Sequence, residues 1–168
     1  GVGLEFGHTK VQLDGALCRC GQRGCLEAYL GNYALTREAA IALDADELAL
    51  HEPKEMLSLL YGQAKSGNPA ALTIYRRAGR FLSVGLSNIV QLFDPPLIIL
   101  SCARLHNDFL FTEEGFAQMH QLTLSNGRQP CQISVHPWND FVWARGATAM
   151  CLAAVTDTIV GGIKVPAA

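Results

Sequence analysis

From Pro69 to Phe93 the apolar positions Leu72, Tyr75, Ala78, Gly79, Leu82, Leu86, Ile89, Val90 and Phe93 recur at intervals of three and four. That is the period of a helix with one face in a core, sustained over roughly six turns. Ser66-Gly67-Asn68-Pro69 marks its start and Asp94-Pro95-Pro96 stops it. Leu97-Ile98-Ile99-Leu100 follows as a continuous apolar run, the pattern of a strand buried on both faces of a sheet. A long helix leading into a buried strand predicts an α/β layer.

The same reading gives mostly helix elsewhere. Leu26 to Leu43 has an apolar side made of Leu26, Leu30, Tyr33, Leu35 and Ala39, interrupted at Gly31-Asn32, which predicts two short helices. Asp44 to Pro53 is an acidic connector, and Pro53 fits the first turn of a helix running to about Lys65. Residues near Leu105 to Leu122 are helical in pattern, Gln132 to Val135 is a second candidate strand, and Phe141 to Ile159 is an Ala-rich apolar helix. The tail from Gly161 to Ala168 carries glycines and a proline and is expected to be loosely ordered.

Composition changes the picture in one respect. Of 168 residues 49% are hydrophobic and 17% charged, little charge for a free-standing domain, so part of the apolar surface is expected to meet a partner lobe or subunit, as in a dimer or tetramer. The net charge of −2 and the lack of a basic stripe argue against a DNA-binding surface. Arg76, Arg77 and Arg80 share one side of the long helix and read as a solvated face or as partners of carboxylates, with binding of phosphate or nucleic acid as the sharper alternative. No apolar run is long enough to cross a bilayer and no signal peptide opens the chain. The start at Gly1-Val2-Gly3, without Met, is expected of a fragment.

Cys102, Cys131 and Cys151 lie singly in apolar surroundings, where a free thiol behaves as a small hydrophobe, and a reducing, cytoplasmic compartment is expected. The other three cysteines fall with His8 in the run from Glu5 to Glu27. His8, Cys18, Cys20 and Cys25 are a complete tetrahedral ligand set for zinc, and Gly21 and Gly24 let the chain fold tightly around one ion. Four protein ligands leave no open position, so such a zinc is structural rather than catalytic. The alternative is buried core cysteines beside a loop histidine. Glu5 and Glu27 bracket the set, and carboxylates accept hydrogen bonds from the hydroxyls of a polar ligand. Their plainer role is as surface carboxylates, Glu27 favouring the first turn of a helix.

The pattern Glu5-x-x-His8, then Cys18-x-Cys20-Gly21-x-x-Gly24-Cys25-Leu26-Glu27, resembles the ROK family, which groups bacterial sugar kinases with sugar-responsive transcriptional repressors. The likeness continues through Asp94-Pro95, the apolar strand and Ala144-Arg145-Gly146-Ala147. The resemblance implies that residues 1–168 are the C-terminal lobe of an α/β, two-lobed, actin- and hexokinase-like (ribonuclease H-like) fold. It implies a zinc knuckle over 8–25 and a helical α/β body over 26–160. It also implies zinc held by His8, Cys18, Cys20 and Cys25, and a sugar bound by Glu5, His8 and Glu27, with His8 serving both through its two nitrogens.

Kinases of the family need an aspartate general base and a Gly-rich phosphate loop, both expected upstream of this chain, so no catalytic residue is assigned within it. They also carry a glycine pair after the late strand, whereas here Leu100 is followed by Ser101-Cys102-Ala103-Arg104. The resemblance therefore points to the sugar-effector and assembly lobe of a repressor whose DNA-binding helix-turn-helix lies N-terminal to it. An ATP-dependent hexose or N-acyl-hexosamine kinase is the alternative. A zinc ribbon without a ligand fits poorly, because residues 69–159 exceed what a ribbon needs. His51, His106, His120 and His136 are isolated and receive no role, and Trp138 and Trp143, flanking Asp140, read as packing a core or a subunit interface rather than as a sugar platform.

Overall fold

Gly31 breaks the first helical stretch in two, giving α1 (Glu27–Leu30) and α2 (Asn32–Ala42) in a computed structural model that describes residues 5–43, 52–102, 107–127, 129–137 and 141–161. The glycine is extended and caps both helices, and a side chain there would bring a Cβ within 2.8 Å of the Glu27 carbonyl oxygen. Pro53 opens α3 (Pro53–Lys65), where its missing N–H costs nothing in the first turn. Asn68 then caps α4 (Pro69–Phe93), its Oδ1 accepting from the N–H groups of Ala70 at 2.9 Å and Ala71 at 3.4 Å. Asp94, in the left-handed region at φ 46, ends that helix.

At 1.5 Å per residue α4 is about 37 Å long, and its two halves serve different cores. Ala71, Ile74, Tyr75 and Ala78 pack with Leu35 and Ala39 of α2 and Met56, Leu57, Leu60 and Ala64 of α3. Leu82, Leu86 and Val90 pack with Met119 and Cys131, and with Ile98, Leu100 and Ile133 alongside. Between the two, the fully buried Ser83 hydroxyl donates to the carbonyls of Gly79 at 3.0 Å and Gly115 at 2.8 Å, joining α4 to its neighbour. Gly85 admits the chain that precedes α1: a Cβ there would meet Leu26 Cδ2 at 2.8 Å and Phe6 Cζ at 3.0 Å.

Two strands, β1 (Leu97–Cys102) and β2 (Gln132–Pro137), pair in one sheet. The expected burial of β1 on both faces does not hold. Ile98 and Leu100 turn into the core, while Leu97 and Ile99 are 44% and 62% exposed, because successive side chains alternate across a strand. The stretch before Leu122 is two helices, α5 (Asn107–Leu110) and α6 (Glu113–Leu122), since Thr112 caps the second by accepting from the Gly115 N–H at 3.1 Å.

The chain divides into two units, residues 1–136 and 137–168. In the second, α7 (Phe141–Gly161) is apolar on every side, with Trp143 and Cys151 on its exposed surface. His120 and His136 lie in the first unit, His136 Nε2 2.9 Å from Ser134 Oγ. The N-terminal Gly1-Val2-Gly3, most of the acidic connector, Ala103, Arg104, His51, His106, Trp138, Asp140 and the tail beyond Gly161 lie outside the described residues. Among the described residues no helix is long and apolar enough to cross a membrane.

Candidate metal centre

The segment from Glu5 to Cys25 folds largely through backbone pairing, with a small cluster in which Cys18 and Cys25 pack on Ala28 and Tyr29. A single turn of 3-10 helix, Phe6–His8, places the histidine, and its first hydrogen bond is from the His8 N–H to the Glu5 carbonyl at 3.0 Å. Lys10 then pairs antiparallel with Cys25, and Leu17 with Arg23. The Cys18 N–H donates to Gln22 O at 2.8 Å and the Gly21 N–H to Cys18 O at 2.9 Å, closing a turn around Cys20. Gly24 is irreplaceable in this arrangement: its φ is +74, and a Cβ would sit 1.7 Å from the Gln12 carbonyl oxygen.

This folding gathers His8, Cys18, Cys20 and Cys25, whose donor atoms all lie within 4.8 Å of one another. Cys18 Sγ is 3.7 Å from His8 Nδ1, and Cys20 Sγ is 3.7 Å from Cys25 Sγ. A tetrahedron with metal–sulfur bonds of about 2.3 Å has an edge of about 3.8 Å, so this set can hold one metal ion. Cys18 and Cys25 are buried and Cys20 is exposed.

The surroundings favour the thiolate, the form that binds metal, at Cys18. Burial pushes the Cys18 thiol up, but donation from the Cys20 N–H and the Tyr33 hydroxyl, helped by Cys20 and His8, outweighs it and brings the pKa down to about 7. Tyr33, 3.5 Å from Cys18 Sγ, is itself pushed up to about 12 by burial and by that bond, and the Arg19 guanidinium lies 4.3 Å from its ring centre. At Cys20 the Gln22 N–H lowers the pKa, yet burial and the neighbouring Cys18 and Cys25 leave it raised. Lys10 Nζ donates to Cys25 Sγ at 3.0 Å and to Gln22 Oε1 at 2.6 Å. Three thiolates around a divalent ion leave one net negative charge, and Lys10 is placed to offset it.

Glu27 joins this group and Glu5 does so only through its backbone. Glu27 Oε2 lies 3.5 Å from His8 Nδ1 and 3.9 Å from Cys18 Sγ. The Glu5 carboxylate is exposed and makes no bond among the described residues. The His8 nitrogen facing the sulfurs is Nδ1, and Nε2 has no partner among the described residues. Lys10 and Tyr33 were not foreseeable from spacing. Lys10 reaches Cys25 by cross-strand register and Tyr33 returns to Cys18 from beyond the Gly31 break.

The family model described as the ROK family matches residues 1–154. The chain belongs to the ROK family. This ROK chain is 34% identical over 112 residues to a glucokinase of Streptomyces coelicolor, covering 60% of the chain and 34% of that protein. It is 26% identical over 137 residues to a xylose repressor of Bacillus spizizenii, covering 82% of the chain and 30% of the repressor. A solved ROK hexokinase from Thermus thermophilus is similar at a TM-score of 0.63 and 25% identity, over 83% of this chain and 44% of that one. The chain thus spans about a third of the length of the curated relatives it matches, and kinases and repressors share this region. Its α/β fold is that of ROK sugar kinases and regulators.

Proposed function

We propose that this chain is the sugar-sensing effector and assembly lobe of a ROK transcriptional regulator, binding a hexose or amino sugar beside a structural zinc ion. In this reading residues 1–168 are the C-terminal lobe of a two-lobed, actin- and hexokinase-like protein, with the knuckle at 8–25 and the body at 26–160. The DNA-binding segment belongs to another part of the protein. The protein works as a homo-oligomer in the cytoplasm, where its thiols stay reduced.

His8, Cys18, Cys20 and Cys25 hold the zinc, which supplies a cross-link for a segment with little core of its own. Metal on Nδ1 leaves the His8 Nε2–H free to donate to a sugar hydroxyl, and the metal fixes that tautomer. The Glu27 carboxylate accepts from a second hydroxyl and Glu5 from a third. The reading is carried by the Glu27 carboxylate at 3.5 Å from His8, beside four donors within 4.8 Å of one another. Ser101-Cys102-Ala103-Arg104, with no glycine where kinases of the family admit a nucleotide, favours a regulator. A sugar kinase is the second reading, favoured by the 34% identity to a glucokinase.

Glu27→Gln tests the sugar site directly. Calorimetric titration with glucose, xylose and N-acetylglucosamine should find a sugar that binds and whose affinity falls about tenfold or more in the variant, the loss of roughly 1.4 kcal/mol expected of a charge-assisted hydrogen bond. Zinc content should stay the same. An unchanged affinity removes Glu27 from the site, and ATP-dependent phosphorylation of a hexose by the protein decides for the kinase.

A further inference from the structure

Three arginines share one side of α4, and the fold uses only one of them. Arg77 Nη1 lies 3.2 Å from Glu38 Oε1, and its guanidinium is 6.0 Å from the ring centre of Tyr29. Arg76 and Arg80 make no hydrogen bond or ion pair among the described residues. They stand at i and i+4, where side chains are neighbours and two like charges destabilise the helix. Both line an open cleft of about 540 Å3 between α4 and α6. That volume is in the range of small-molecule sites.

The cleft has the composition of a site for a compact anion with polar substituents. Its floor is Tyr75, stacked on Phe109 at 5.1 Å between ring centres. The α6 wall presents the amides of Gln118 and Gln121. Guanidinium groups match phosphate oxygens with paired N–H donors, and a dianion between two of them relieves their mutual repulsion. Glu114, also lining the cleft, pairs with neither arginine. With Glu113 beside it in the first turn of α6 it repels an extended polyanion, while a lone carboxylate accepts readily from hydroxyls.

We propose that this cleft binds a phosphate group, free or carried by a small polyol, with Arg76 and Arg80 on the phosphate and Gln118, Gln121 and Glu114 toward the hydroxyls. None of these residues belongs to the metal centre, so the site stands or falls apart from the sugar reading above.

The test is thermal melting of the protein at fixed ionic strength with inorganic phosphate, glucose 6-phosphate, ATP or sodium chloride. Inorganic phosphate or glucose 6-phosphate should raise the melting temperature where chloride does not, and a larger rise with glucose 6-phosphate assigns the polyol ester. The R76Q/R80Q variant should melt no lower than the parent without ligand, because neither side chain has a partner to lose and their mutual repulsion is removed, and its apparent phosphate affinity should drop at least tenfold. R77Q and E27Q should bind phosphate as the parent does. The proposal is overturned if neither phosphate compound stabilises, if only ATP does, or if the effect survives R76Q/R80Q. Equal loss in R77Q overturns it too, as the mark of diffuse charge attraction.

Discussion

Between Glu5 and Cys25 only Cys18, Gly24 and Cys25 are buried, whereas α4 alone buries ten residues. The shorter region is shaped by isolated backbone bridges and glycines in unusual conformations; the longer is an amphipathic helix with a core on each half. Apolar burial at about 25 cal/mol per Å2 can order the second but has little area to act on in the first. A metal ion held by the four gathered donors would give such a segment a cross-link.

Removing the cross-link is the largest perturbation the contrast predicts. Structural zinc contributes on the order of 10 kcal/mol in zinc-finger peptides, so Cys20→Ser should take elemental zinc from about one ion per chain to nearly none. Hydrogen exchange should then show protection lost from residues 8–26 while α4 stays protected. If the whole helical signal collapses instead, the two regions are one cooperative unit and the contrast fails. Acidification should act the same way. As the pH falls, protons compete with the metal for its ligands, Cys18 with its pKa of about 7 among them, and the metal should leave before the body melts.

Leu86→Ala reverses the experiment. Leu86 is 1% exposed, and truncating a buried leucine costs about 2–5 kcal/mol, read as a lower denaturant midpoint. Zinc content of the folded variant should not change; loss of metal would show that the knuckle depends on the packing beneath it. The smallest expected effect is that of Asn68→Ala, which removes the cap of α4 and should cost about 1 kcal/mol with the metal and the Glu27 face untouched.

What the sequence made legible was local. The period of α4, the break at Gly31 and the start at Pro53 each depend on residues within a turn or two, and each lies where the pattern puts it. The gathering of His8, Cys18, Cys20 and Cys25 was legible for the same reason, its members being close in the chain. The one-sided burial of β1 was not, because four consecutive apolar residues carry no alternation to say which face is covered. Nor was the cap at Thr112 that divides α5 from α6, hidden inside a longer apolar pattern. Lys10 on Cys25 and the division of labour among Arg76, Arg77 and Arg80 depend on partners from distant elements, Glu38 among them. Glu5 shows the converse: adjacency in sequence to His8 places its backbone in the centre, but leaves its side chain without a contact there.

The two cores share α4, and Ser83, with its hydroxyl on the Gly115 carbonyl, lies near their junction. A partial opening that melts one end of the helix leaves the middle held by the other end. Amides from Gly79 to Ser83, at the junction of the two cores, are therefore expected to be the slowest to exchange in the first unit. Their exchange rate at neutral pH thus reports the free energy of global unfolding for residues 5–136, without denaturant and without a spectroscopic probe.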